Sequence, residues 1–190
     1  MRLVALTAAA TALAFGLLAP SDPPGRPIRL ADHTVPMDPP GDPGPDPGDG
    51  SLPDGRALSP FDVQRPAIGR LVPPLLSAIQ SAATAAAADG ITMTINSGWR
   101  SVELQQQLLD NAVQTYGSLA AARQYVQTPA LSKHVIGQAV DVGGAGADKW
   151  LIANGSRFGL CQIYANELWH FELATDAMGN CPALLPNAAG

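Results

Sequence analysis

Residues 131–144, "LSKHVIGQAVDVGG", decide how the rest of the chain is read. Between its glycines, "GQAVDVG" (137–143) is short, apolar and partly β-branched, which predicts a buried strand. His134 and Asp141 stand seven positions apart in this run. Desolvating such groups without partners costs on the order of several kcal/mol, so each must meet something polar elsewhere in the chain. Fully extended, the two positions would lie about 23 Å apart, too far to share one partner. Gly137 supplies a place for the chain to reverse and bring them together.

Working outward, "PPLLSAIQSAATAAAADG" (73–90) reads as a helix that opens on a proline pair and stops at Gly90. "ITMTINS" (91–97) alternates and is β-branched, so it reads as a strand. "SVELQQQLLDNAVQTYG" (101–117) places Leu104, Leu108, Leu109 and Val113 at helical spacing and ends on Gly117. "SLAAARQYV" (118–126) is a short helix, "ADKWLIANGSRFG" (147–159) a helix with a glycine stop, and "CQIYANELWHFEL" (161–173) one or two strands. Helices come early and strands are short, so the fold class is α+β, a small antiparallel sheet flanked by helices.

Before residue 59 the composition changes. "MDPPGDPGPDPGDGSLPDG" (37–55) has almost nothing to bury, and residues 20–58 read as a Pro/Gly/Asp-rich disordered linker. "MRLVALTAAATALAFGLLAP" (1–20) has one basic residue, an apolar run, then Ala19 and Pro20, so residues 1–19 read as a signal peptide or an N-terminal anchor. The expected localisation is exported, secreted or associated with the cell envelope. Residues 59–190 form the folded domain, expected to be a monomer, and His33 in the linker reads as an ordinary exposed histidine.

The 190 residues are 46% hydrophobic and 14% charged, with a formal net charge of −5. Long Lys/Arg clusters are absent, which argues against nucleic acid as a partner and against a polybasic membrane patch. Membrane attachment is left to the N-terminal segment alone. Cys161 and Cys181 are the two cysteines, and in an exported protein an isolated pair reads as a disulfide.

His134, Asp141, Glu167 and His170 make a candidate catalytic zinc site: three protein ligands, an open position for water and a carboxylate base. On a straight strand Glu167 and His170 would face opposite ways, so Glu167 is expected in a turn just before the strand. That position suits a base beside the metal. The spacing alone leaves other readings open: a structural His–Asp hydrogen bond, a Cys161–His170 cysteine-peptidase pair, or a serine triad using Ser132.

"SGWRS" (97–101), "SKHVIGQAVDV" (132–142) and "NELWHFEL" (166–173), in this order, resemble the VanY-like D-alanyl-D-alanine carboxypeptidases. These belong to a wider group of zinc peptidases that includes L-alanyl-D-glutamate endopeptidases and shares its fold with the hedgehog signalling domain. The resemblance implies that His134, Asp141 and His170 bind Zn2+ and that Glu167 is the general base. It implies that Arg100 stabilises the developing oxyanion, where a permanent guanidinium suits the task. Without it, Arg100 reads as the ion-pair partner of Glu103. Ser132 and Gln105 align with residues that contact substrate in relatives, and Trp99 stands where relatives usually carry Tyr. The function implied is an exported zinc metallopeptidase that removes a terminal D-Ala from peptidoglycan stem peptides ending in D-Ala-D-Ala. The alternatives are an endopeptidase acting within the stem peptide and a non-catalytic zinc-bearing cell-wall binding module. The loop between 110 and 131, with Arg123, is a candidate grip on a substrate carboxylate.

Overall fold

The computed structural model describes residues 48–52 and 55–190. The signal or anchor segment, His33 and most of the linker lie outside the described residues. Helices α1 (Pro66–Gly69) and α2 (Pro73–Ala88) are followed by strand β1 (Thr94–Ser97), then α3 (Val102–Tyr116) and α4 (Leu119–Ala122). Strand β2 (Ala139–Gly143), α5 (Ala147–Asn154), a 3₁₀ turn (Gly155–Phe158), β3 (Leu160–Gln162) and β4 (His170–Leu173) complete the domain. The four strands form one antiparallel sheet in the order β1-β2-β4-β3. The α+β class expected from the sequence is the class observed; α1 is an addition to the elements expected.

Local chemistry accounts for the elements. Pro73 and Pro74 open α2, where missing N–H groups cost nothing, and Leu75, Ile79, Ala82, Ala83 and Ala86 recur at helical spacing on its buried face. The Ser101 hydroxyl accepts the Leu104 N–H to cap α3, and Gly117 ends it in the left-handed conformation. The buried stripe of α3 is Gln105, Leu109 and Ala112 rather than a purely leucine face. A glutamine at a core position has to find partners inside.

One face of the sheet, with Ile95, Val140, Val142 and Phe171, packs on Leu75, Ile79 and Leu151 from α2 and α5. Each such side chain contributes roughly 1.5–3 kcal/mol by leaving water. Residues alternate across a strand, so Asp141, His170 and Glu172 fall on the other face. A smaller cluster of Leu109, Ala112 and Ala122 joins α3 to α4.

Three features tie the periphery down. Cys161 on β3 and Cys181 form a disulfide. Leu185 bridges to Tyr164 beyond it. At the other end, Leu58 and Ile95 exchange both backbone hydrogen bonds, and the Asp49 carbonyl accepts the Ser101 N–H at 2.7 Å. Gly50 lies against the Trp99 carbonyl, where a Cβ would clash. Asp49, Gly50 and Leu58, in the described end of the linker, therefore pack against β1 and the start of α3.

Candidate metal centre

Asp141 and His170 are cross-strand partners of β2 and β4, on the face away from the core. His134 reaches them from the turn before β2. Gly137 reverses that turn at φ 68°, and its N–H donates to the His134 carbonyl. Two backbone bonds hold the turn in place: Arg100 N–H to the His134 carbonyl and Val72 N–H to the Gly137 carbonyl. The expected reversal is thus the means by which His134 reaches Asp141.

Three atoms converge. His134 Nε2 lies 3.3 Å from His170 Nδ1 and 3.3 Å from Asp141 Oδ1, and the last two are 3.2 Å apart. Donors about 2.0–2.1 Å from one tetrahedral ion stand about 3.3–3.4 Å from each other, so the triangle has the edge length of a zinc site. The outward atoms of all three residues are engaged. His134 Nδ1 is 2.8 Å from the Gly98 carbonyl, which fixes its proton there and leaves the Nε2 lone pair facing inward. His170 Nε2 is 3.0 Å from Glu172 Oε1, and Asp141 Oδ2 accepts from Arg100 Nη2 at 2.7 Å. Two imidazole lone pairs and a carboxylate oxygen at this spacing repel one another unless a cation, proton or metal, lies among them. The residues fit a zinc ion.

The electrostatics agree. Burial and the Arg100 charge push the His134 imidazole below its ordinary value. Burial also opposes charge on His170 and Asp141, but there the partners prevail. Asp141 is held well below the usual carboxylate range by His134, His170 and Arg100. His170 is held at about 9 by Asp141 and Glu172.

Glu167 sits in the turn just before β4, as expected, and is buried. Its Oε2 lies 3.9 Å from His170 Nδ1, and its buried Oε1 has no hydrogen-bond partner among the described residues. Burial pushes its carboxyl up to about 7. A buried carboxylate whose Oε2 stands this close to three convergent ligand atoms is placed to take up and release a proton there.

Arg100 does not pair with Glu103. Its Nε donates to Ser97 Oγ at 2.7 Å, its Nη1 to Gln105 Oε1 at 3.1 Å and its Nη2 to Asp141. A break in register between Ile95 and Ser97 on β1 sets Ser97 opposite Asp141, which brings Gly98 and Arg100 to the site. Gln105 is 1% exposed, with its carbonyl on Arg100 and its amide on the Gln127 carbonyl at 2.8 Å. In this arrangement Gln105 braces Arg100 from the side away from Asp141. Ser132 is buried two residues before His134. Trp99 carries the Arg70 guanidinium over its ring at 4.3 Å. Arg123 is engaged with Gln127 Oε1 at 3.2 Å. With both cysteines in the disulfide, no thiol remains for a Cys161–His170 pair.

Sequence reading missed Glu172, Ser97, Gln127 and the Gly98 carbonyl. A signal existed for Glu172: it follows His170 by two on a strand and so shares its face.

Residues 70–175 match the family model described as VanY, D-alanyl-D-alanine carboxypeptidase. A D-alanyl-D-alanine carboxypeptidase of Enterococcus faecalis (strain ATCC 700802 / V583) is 31% identical over 49% of this chain and 44% of its own length. The chain thus spans under half the length of that relative. The vancomycin-resistance D,D-pentapeptidase VanY from a VanB-type cassette, solved as a mutant with Zn(II), is 30% identical with a TM-score of 0.51, covering 54% of this chain and 71% of that one. VanYB in complex with D-alanine-D-alanine is 28% identical, also with a TM-score of 0.51, covering 54% and 70%.

Proposed function

The chain belongs to the VanY family of D-alanyl-D-alanine carboxypeptidases, and we propose that it is an exported zinc metallopeptidase that removes the terminal D-Ala from peptidoglycan stem peptides. The observation that carries this reading is the 3.2–3.3 Å triangle of His134, Asp141 and His170 with the buried Glu167 carboxylate 3.9 Å from His170 Nδ1. Relatives of this fold that were solved with Zn(II) and with D-alanine-D-alanine support the metal and the substrate class.

His134, Asp141 and His170 would hold the zinc, which when bound would supply Lewis acidity, acidifying water and polarising the scissile carbonyl. The Glu167 carboxylate, whose Oε2 faces His170 Nδ1 at 3.9 Å, takes a proton from the attacking water as its oxygen bonds to the carbonyl carbon. As the C–N bond breaks, Glu167 returns that proton to the leaving D-Ala nitrogen. Arg100 neutralises Asp141 and keeps a permanent positive charge next to where the oxyanion develops. The apolar N-terminal run and the Pro/Gly/Asp-rich segment support export and tethering of the domain.

The test is release of D-Ala from a synthetic stem pentapeptide, with and without a zinc chelator, beside Glu167→Ala. Chelator-sensitive release that disappears in E167A is the expected result. Cleavage only inside the stem peptide would make the enzyme an endopeptidase. Stoichiometric zinc without any cleavage would make it a binding module.

A further inference from the structure

Residues far from the metal centre in sequence are joined to it by an unbroken polar chain. Ala188 is 8% exposed, and its backbone is used twice. Its carbonyl accepts Gln127 Nε2 at 2.7 Å, and its N–H donates to the Gln124 carbonyl at 3.4 Å. Gln127 Oε1 accepts from Arg123 Nε at 3.2 Å and from the Thr128 N–H at 2.8 Å, so both ends of this amide are committed. The Gln127 backbone carbonyl then receives Gln105 Nε2 at 2.8 Å; Gln105 Oε1 receives Arg100 Nη1 at 3.1 Å; Arg100 Nη2 meets Asp141 Oδ2 at 2.7 Å.

The same loop also braces the other side of the site. The Gln124 carbonyl accepts Asn166 Nδ2 at 2.8 Å, and Asn166 is the residue before Glu167. Leu185, three residues before Ala188, exchanges backbone bonds with Ile163 and Ala165 in the segment leading to that turn. Residues 124–128 are therefore held between the turn that carries Glu167 and the helix that carries Gln105, and Ala188 is the staple.

We propose that the Ala188–Gln127–Gln105 chain is a positioning relay that sets Arg100 and, through it, the orientation of Asp141 toward the metal. Gln127 and Gln105 touch neither metal nor reacting atoms in this account; they act through Arg100. The geometry makes the need plain. A guanidinium satisfied by Ser97, Gln105 and Asp141 has one position, whereas one that has lost Gln105 can swing about its Ser97 contact. Partners of a metal ligand typically govern affinity by 10–100-fold. This inference rests on the zinc reading above.

The test uses the full chain and the zinc ion alone, titrated against a chromogenic chelator. Three proteins are compared: the unaltered chain, Gln127→Ala, and the chain ended after Leu185, which keeps the disulfide and the Leu185 bridge. Both variants should bind zinc about tenfold more weakly, near the lower end of outer-shell effects. The melting temperature of the metal-free protein should move little. D-Ala release by the variants should recover when zinc is added in excess, which a general loss of structure would not allow. Unaltered affinity in both variants beside tight binding by the parent chain would overturn the relay alone. No zinc binding by the parent chain would overturn the metallopeptidase reading and the relay with it.

Discussion

Arg100 Nη2 stands 2.7 Å from Asp141 Oδ2, while the other oxygen of the same carboxylate faces two imidazoles at 3.2–3.3 Å. One side chain is thus divided between a permanent cation and a metal-sized gap. Removing the guanidinium leaves Asp141, Ser97 and Gln105 short of a partner in a mostly buried setting. Arg100→Ala should lower the stability of the metal-free protein by roughly 2–4 kcal/mol, read by urea denaturation. Arg100→Lys keeps the charge but lacks the planar fork, and should recover only part of that loss.

Zinc uptake should release a proton. In the metal-free protein, burial opposes charge on His170, but the Asp141 and Glu172 carboxylates hold its imidazole at about 9, so it is protonated at pH 7.5. A metal on Nδ1 must displace that proton. Apparent zinc affinity should therefore fall roughly tenfold per unit as pH drops below about 9, with one proton released per ion from this site. Calorimetry in two buffers of different ionisation enthalpy measures the count; no proton release at pH 7.5 would remove this account of His170.

Glu167 gives a pH dependence of the opposite kind to a salt-bridged acid. Burial raises its carboxyl from 4.5 to about 7 in the folded, metal-free chain, so the fold prefers the neutral form. Its contribution is fully favourable below about 4.5 and is lost as pH rises through about 7. Glu167→Gln, which mimics the neutral form, should stabilise the metal-free protein at pH 8 by on the order of 2–3 kcal/mol and make no difference near pH 4. The same variant should abolish D-Ala release, a stability gain paired with a loss of function. Equal melting temperatures at pH 8 would show that Glu167 is not strained by burial.

How much of this was legible in the sequence follows from where each signal resides. Gly137, the Asp141 strand and the His170 strand are local patterns, and period-two alternation sets Asp141 and His170 each opposite the apolar side of its own strand; the pairing of β2 with β4 then puts them side by side. Glu167 in a turn before the strand follows from the same alternation. The partners of Arg100 do not. Glu103 is near in sequence, but the register break on β1 turns Arg100 toward Asp141, 41 residues away, and no local pattern shows that break. Gln105 shows the same limit. A polar residue in the buried stripe of α3 marks something special, yet its partners lie on a loop whose path depends on residues near 188.

The disulfide should matter for stability and not for chemistry. Cys161 is 1% exposed on the edge strand, and its bond to Cys181 closes a loop of 20 residues in sequence separation. Replacing both with Ser should cost about 3 kcal/mol in the chain-entropy picture, seen as a melting temperature roughly 10 °C lower. D-Ala release by the folded variant should persist, since no step uses a thiol.

Gly137→Ala is the sharpest single test of how the fold builds the site. Gly137 has φ 68°, where an L side chain is strained, and an added Cβ would lie 2.5 Å from the Arg70 carbonyl and 3.3 Å from Leu71 Cα. Both obstacles are backbone, so a rotamer change cannot relieve them. The turn has to shift, and with it go the Val72–Gly137 and Arg100–His134 backbone bonds that seat His134. Strain in the left-handed region alone costs about 1–2 kcal/mol, and displacing packed backbone adds to it. The expected result is a stability loss of about 2–4 kcal/mol together with zinc affinity reduced by more than the 10–100-fold typical of an outer-shell change, because a ligand itself is moved. Gly90→Ala is the control: it shares a positive φ of 78° but has open space around its Cβ, so it should lose stability without losing zinc. Equal zinc affinity in the two variants would mean that His134 is held in place by something other than the Gly137 turn.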